Sequence, residues 1–351
     1  MILPISFSKM TAFAKRNFIQ IPLFYAIRLV DSTRFIDAIR LLGGVPAPAH
    51  SAQVGGQAVI EGVMMRSPEY VSVAVRRPNG KIVLKRDKMQ SWTKTFRVLG
   101  FPFVRGGVIL IESLVLGVKA LNFSSDIAMQ EIEKDKNKPA KSASGWIIGS
   151  TVVFAFVLGL ALFFYLPLKL TEWMGIQNGV AFNLVDGGLR LAIFLLYLGL
   201  ISLWKEIRRI FEYHGAEHKS IFAYEAGRPL TLEGVKPFAT HHPRCGTSFL
   251  LVVMLVSLVV FVMLGRPHTA LDRLVRFLFI PVIGGISYEI IKLSGKKFGK
   301  PLAQVLVAPG LWLQRITTKE PDDGQIEIAL TALKSALNQD IGSGVETVSA
   351  A

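Results

Sequence analysis

Between Lys141 and Lys169 the chain runs for 27 residues, 142–168, without a charged side chain. Between Arg244 and Arg266 it does so for 21 more, 245–265. An α-helix rises about 1.5 Å per residue, so about 20 apolar residues cross the hydrocarbon layer of a bilayer. A backbone in hydrocarbon must also satisfy its own hydrogen bonds, which a helix does and an open sheet does not. Each stretch is therefore expected to be a transmembrane helix. Two weaker stretches, 189–204 and 274–293, complete a set of about four. Arg190 and Arg276 lie near their ends and are expected to snorkel toward the interface. Glu289 lies deeper, with Lys292 as its expected partner one turn away.

The placement of Lys and Arg orients these spans. Residues 1–145 hold 21 Lys+Arg against 10 Asp+Glu, and the link 205–246 holds seven Lys+Arg. The links at 169–188 and 266–273 are poor in excess positive charge. Cytoplasmic segments collect cations, so both termini and the 205–246 link are expected in the cytoplasm of a bacterial inner (plasma) membrane. The net charge of +15 fits an anionic lipid surface. Contact with nucleic acid or the ribosome is the less favoured explanation of it, because the spans already account for the charge. A single cysteine, Cys245, allows no intrachain disulfide, as expected for a reducing compartment. Lys9, Lys15 and Arg16 break the first apolar runs, so no cleaved signal peptide is expected.

The expected fold is thus an α-helical integral membrane protein of about four transmembrane helices, with a small cytoplasmic β unit and amphipathic helices. Residues 1–50 form an N-terminal segment with an amphipathic helix at 18–42. Residues 51–141 carry the β unit and an apolar helix. Residues 142–293 are the membrane region, and 294–351 a helical tail. In the β unit, 57–65, 71–77 and 81–86 read as strands. Val71, Val73 and Val75 alternate with smaller or polar residues, and Pro78-Asn79-Gly80 supplies a hairpin turn. Glu61 and Arg66 are expected to pair with each other. Residues 101–123 are apolar but carry Arg105, Glu112 and Lys119 at intervals of seven, as a surface or half-inserted helix would; a fifth span is the competitor. In the tail, 302–315 is apolar and broken by Pro309-Gly310, and Pro321 opens a further helix.

Four of the six histidines fall in the 205–246 link. Tyr213-His214-Gly215-Ala216-Glu217-His218 places His214 and His218 at i and i+4, so both imidazoles share one helix face. The order H-x-x-E-H is that of inverted zinc peptidases. His241-His242-Pro243-Arg244-Cys245 adds imidazole and thiolate, the ligands zinc prefers. Glu225 is a spare carboxylate. The expected metal ligands are His214, His218, His242 and Cys245 on a divalent transition metal, zinc first, with Glu217 as catalytic base. Four protein ligands would close the site and make it structural; His214, His218 and one carboxylate, Glu217 or Glu225, are the smaller alternative. Gly215 inside the motif argues against a continuous helix. Histidines that merely hydrogen-bond locally or meet lipid head groups are the competing explanation.

GGQAVIEGVMMR, PFVRGG, YHGAEHKSIFAYE, HPRCGTSFLL, GISYEIIKL and PGLWLQRITTKEPDDGQIEIA closely resemble the YqhQ-like family of bacterial membrane proteins, over about residues 50–335. Members of that family carry the label "predicted metal-dependent enzyme". The resemblance therefore implies a metal site, and its motifs fall on His214, Glu217, His218, His242, Arg244 and Cys245. It supplies no substrate. Two functions of different class follow. One is a metal-dependent, hydrolase-like enzyme at the cytoplasmic membrane face. The other is a membrane scaffold or assembly factor with a structural His/Cys cluster and unknown protein partners. In both, the lipid bilayer is a partner.

Overall fold

In the segment 57–65 the backbone reverses at Ile60-Glu61, so one expected strand is two. β1 (Gly55–Val59) pairs antiparallel with β2 (Gly62–Arg66), and Glu61 sits at the turn with φ 51°. β3 (Tyr70–Arg76) and β4 (Ile82–Lys88) extend the meander through the expected Pro78-Asn79-Gly80 turn, where Gly80 takes φ 85°. β5 (Val345–Val348), from the far end of the chain, pairs parallel with β4. The computed structural model describes residues 54–101, 104–135, 145–243, 245–296, 301–342 and 344–348. The expected helix at 18–42 and the linker beyond residue 135 lie outside them.

Both faces of the sheet are covered. Val59, Val71, Val73 and Val75 pack on Ala120 and Ile127 of α1 (Val104–Asp135). Val63, Met65, Ala74 and Leu84 pack on α4 (Lys205–Glu225) and α9 (Asp323–Ala336), chiefly through Tyr213, Ala216, Ile326 and Leu333. The alternation in β3 thus separates two buried faces rather than a wet face from a dry one. Valines meet α1, while the small Ser72 reaches Ser335 on α9 through a 3.2 Å hydroxyl contact. Burying each valine contributes about 1.5–3 kcal/mol, which is what lets short strands persist. The expected Glu61–Arg66 pair does not form. Glu61 accepts from Arg209 and Tyr213 of α4, and Arg66 lies 3.5 Å from buried Glu112 of α1. The strand pleat turns these two residues toward different neighbours.

Four helical stretches are long and apolar enough to cross a membrane: Gly149–Trp173, Gly179–Ile201, Gly246–Leu264 and Ala270–Leu293. The first is α2 (Gly145–Leu160), which passes through a π turn at Ala161–Tyr165 into Leu166–Trp173. The second is α3 (Gly179–Ile201), capped by the Asn178 side chain, and the third is α5 (Gly246–Leu264). The fourth joins α6 (Ala270–Leu278) to α7 (Ile280–Lys296). Their outer faces leave Phe154, Leu196 and Val259 more than half exposed, an apolar surface that suggests contact with lipid. Helix α1 is not among the four.

The charges near these helices turn inward. Arg190 pairs with Asp186 at 2.9 Å, and Arg276 donates to the Asn183 side chain at 2.7 Å. Neither snorkels, because a buried polar partner lies closer than the helix end. Glu289 accepts two hydrogen bonds of 2.6–2.7 Å from Arg105, across from α1. Gly106 makes this crossing possible, since a Cβ there would lie 3.0 Å from the Gly285 backbone.

In the tail, α8 (Pro301–Thr317) contains Pro309 without breaking. It needs a close crossing instead: a Cβ at Gly310 would stand 2.4 Å from the Ser248 Cβ. Helix α9 starts at Asp322, whose side chain forms a capping box with Gln325.

Candidate functional site

Helix α3 ends at Ile201, and three residues turn the chain before α4 begins at Lys205. The histidine helix is therefore a separate element, free to lie across the end of the bundle. It runs unbroken through Gly215, where a side chain is excluded because the Lys319 carbonyl would sit 2.0 Å from a Cβ. Gly227 (φ 66°) ends it, and Thr231 caps one short turn, Leu232–Val235. The chain then returns to Cys245, the N-cap of α5. This fold-back joins two halves of the histidine-rich link that lie far apart in sequence.

His214, His218 and Cys245 come together, with their ligand atoms all within 4.8 Å of one another. The Nε2 of His214 lies 3.2 Å from the Cys245 Sγ. His214 Nδ1 meets the Thr317 carbonyl at 2.8 Å, and His218 Nδ1 meets the Thr240 carbonyl at 2.5 Å. A carbonyl can only accept, so both Nδ1 atoms carry the proton and both Nε2 atoms present lone pairs. Imidazoles held by a backbone carbonyl in this way are oriented as metal ligands are.

His242 stands beside this trio. Its ring is 5.7 Å from that of His218, and its Nε2 turns to Glu225 at 3.4 Å. Its backbone is held by Gln314 of α8, which accepts from the His242 N–H at 2.7 Å and donates to its carbonyl at 2.8 Å. Glu217 lies on the other side, 3.8 Å from the His214 Nε2. His241 has a buried Nε2 with no hydrogen-bond partner.

Burial dominates the electrostatics here. It pushes the Glu217 carboxyl up to about 7, against the pull of His214 and the Gly56 amide. It lowers His218 to about 4, and burial together with His214 lowers His242 to about 3. Burial alone would raise the Cys245 thiol, but His218 and the hydroxyl and amide of Thr247 outweigh it and hold the thiol below its ordinary value. A neutral imidazole, the form burial favours for His218, is the protonation state in which that group binds a metal.

The donor set is two imidazole nitrogens and one sulfur, borderline-soft ligands that could hold a divalent transition metal. Sequence reasoning missed the supports: Gly56, Thr240, Gln314 and Thr317. Their signal was present as polar residues inside an apolar helix at Gln314 and Thr317, and as the paired glycines at Gly55-Gly56.

The family model described as "Protein of unknown function (DUF1385)" matches residues 101–339. The chain belongs to this family. It is also similar to the uncharacterized protein YqhQ of Bacillus subtilis (strain 168), with 34% identity over 294 residues, covering 81% of this chain and 92% of that protein. No solved structure matches the chain. The matched region includes every residue of the His/Cys cluster and its supports except Gly56.

Proposed function

We propose that the protein is a multipass protein of the bacterial plasma membrane whose cytoplasmic face carries a zinc-dependent hydrolase centre. His214, His218 and Cys245 are the ligands, and Glu217 is the general base. The observation that carries this reading is the tautomer lock, two Nδ1–H groups on carbonyls, with the ligand atoms of His214, His218 and Cys245 within 4.8 Å of one another. Three protein ligands leave a coordination position for substrate or water, which a closed four-ligand site lacks. A divalent ion there would supply Lewis-acid polarisation of a substrate carbonyl or phosphoryl oxygen. Glu217 would take a proton and return it to the leaving group, a task suited to a carboxyl near 7. Gly56 holds the Glu217 carboxylate through its N–H, and the Thr317 and Thr240 carbonyls keep the imidazoles from rotating. The apolar faces of the four long helices, with the cationic links on one side, support the membrane placement and cytoplasmic termini.

The test is metal content and X-ray absorption of the purified protein under zinc-replete conditions. One zinc per chain with one sulfur and two imidazoles in its shell is expected, lost in His214→Ala and in Cys245→Ser but kept in His242→Ala. If His242→Ala empties the site as fully as His214→Ala, the site is closed and the structural, scaffold reading replaces the hydrolase. Absence of any stoichiometric transition metal in the purified protein would remove the metal centre altogether.

A further inference from the structure

At the other end of α5 the buried charges do not balance. Nineteen residues at about 1.5 Å each put Gly265 about 28 Å from the His/Cys cluster. Two guanidiniums converge there on the ring of Phe261, Arg190 at 5.2 Å and Arg276 at 5.0 Å. Arg190 has Asp186 as its counter-charge at 2.9 Å. Arg276, 2% exposed, donates to the Asn183 side chain at 2.7 Å and to the Gly265 carbonyl, both neutral. No carboxylate lies within ion-pair distance of it among the described residues. Glu172 is shared by Lys169 and Arg273, both at 2.8 Å, and Asp272 is engaged in its own capping box with Thr269. The cluster thus carries one buried positive charge in excess, which a low-dielectric interior strongly disfavours.

Two atoms of the same ion pair are also unsatisfied. The Nε of Arg190, a donor, and the Oδ1 of Asp186, an acceptor, are both buried with no hydrogen-bond partner. Orphaned buried polar atoms are uncommon in folded proteins and point to a missing group. A group that completes this cluster must be anionic, accept from a guanidinium and donate a hydroxyl to a carboxylate. A phosphate that retains an O–H meets all three demands, as does a phosphodiester with a hydroxyl beside it. Chloride and sulfate are anionic but have no proton to donate to Asp186.

We propose that Arg190, Arg276 and Asp186 bind a hydroxyl-bearing phosphate group at the end of the helix bundle opposite the His/Cys cluster. The group is either inorganic hydrogen phosphate or the phosphoglycerol headgroup of a lipid. The site is independent of the metal reading.

Two measurements on the full-length protein in neutral detergent test this. Thermal unfolding is followed in sodium phosphate, sulfate and chloride at equal ionic strength and pH 7. Lipid retention is followed by native mass spectrometry after reconstitution in equal parts phosphatidylglycerol and phosphatidylcholine. If the source is inorganic, phosphate raises the midpoint by at least about 3 °C over sulfate and chloride. If the source is lipid, phosphatidylglycerol is retained at least about fivefold over phosphatidylcholine, a preference of about 1 kcal/mol. Arg276→Gln abolishes either effect, and Arg276→Lys keeps most of it. The wild-type results decide by themselves should the glutamine variant fail to fold. Sulfate stabilising as well as phosphate, without preferential lipid retention, overturns the hydroxyl-bearing ligand. No response in either wild-type measurement overturns the site and leaves a water between Arg190 and Asp186.

Discussion

The backbone of Gly56 in β1 lies against the carboxylate of Glu217 in α4, so close that a Cβ on Gly56 would stand 2.7 Å from the Glu217 Cγ and 2.8 Å from the Met64 carbonyl. The Gly56 N–H donates to that carboxylate. The sheet therefore does more than cover a helix: it sets the position of Glu217 beside the His/Cys cluster. Gly56→Ala should cost about 1–3 kcal/mol, because a methyl group is forced into filled space with a backbone carbonyl as one neighbour. If Glu217 is a base rather than a ligand, zinc content stays at one per chain in Gly56→Ala and in Glu217→Gln. Thermal melts and metal analysis of the two variants check this. Zinc lost from Glu217→Gln would make Glu217 a ligand.

The buried titratable groups give the metal-free protein a pH dependence of defined sign. His218 and His242 titrate near 4 and 3 in the folded chain and near 6.5 when unfolded. Below about pH 6.5 the unfolded chain binds protons that the folded one refuses, so stability falls as pH falls toward 4. Glu217 titrates near 7 when folded and near 4.5 when unfolded, so its contribution is full below about 4.5 and is lost as pH rises to 7. Between pH 4.5 and 6.5 His218 and His242, joined by His241, which burial also lowers, act against one carboxyl. The net slope is at least one proton, about 1.4 kcal/mol per pH unit or more, with stability rising with pH. Glu217→Gln removes the opposing group and should steepen the slope by about one proton. A series of unfolding curves of the zinc-stripped proteins across this range measures it, and a flatter profile in the variant would refute the assignment.

The four long apolar stretches were legible because desolvation acts on each residue alone, and a run without charge needs no partner to be recognised. The i, i+4 pair His214 and His218 was legible for the same reason, since helical spacing is local. What was not legible depended on pairing at long range. Nothing near Val345 announces a strand, because β5 exists only where β4 offers an edge. Gly215 suggested a broken helix, yet it is the place where the Lys319 backbone crosses an intact one. Pro309 suggested a break in the tail, and the helix continues through it, packed on Ser248 at Gly310. The turn of His242 toward Glu225 could not be read either, because Gln314, 72 positions away, fixes its backbone.

The Arg105–Glu289 pair ties α1 to the fourth long helix through two hydrogen bonds of 2.6–2.7 Å. Glu289 sits in an apolar stretch where an unpaired charge is costly. Arg105→Ala should therefore destabilise more than a fully exposed pair would, by about 1–2 kcal/mol, since the bond is charge-assisted but part-buried and one partner is left behind. Glu289→Gln, which lowers the need for a counter-charge, should cost less than Arg105→Ala. The swapped double variant Arg105→Glu with Glu289→Arg should recover part of the loss of either single reversal. A double-mutant cycle on thermal stability reads the coupling, and additive losses would show that the pair is not what holds α1 to α7.

The sidedness of the bundle follows from one helix. Cys245 caps the start of α5 and Gly265 ends it, about 28 Å apart, so if α5 crosses a layer about 30 Å thick, the His/Cys cluster and the turn at Gly265 are expected on opposite sides of it. The cluster's side also carries the sheet, α4 and α9, together with the seven Lys+Arg of the 205–246 link. Among the described residues, the other side carries the short turns between α2 and α3 and between α5 and α6. Positive charge near helix ends favours the cytoplasm, so the cluster's side is expected inside. An alkaline phosphatase fused after Gln177 should be active, because that enzyme folds only where disulfides form. A green fluorescent protein fused after Lys319 should fluoresce, because that residue lies against Phe211 of α4, on the side expected to be cytoplasmic. Phosphatase activity after Lys319, with none after Gln177, would invert the expected orientation and place the His/Cys cluster on the outer side of the membrane.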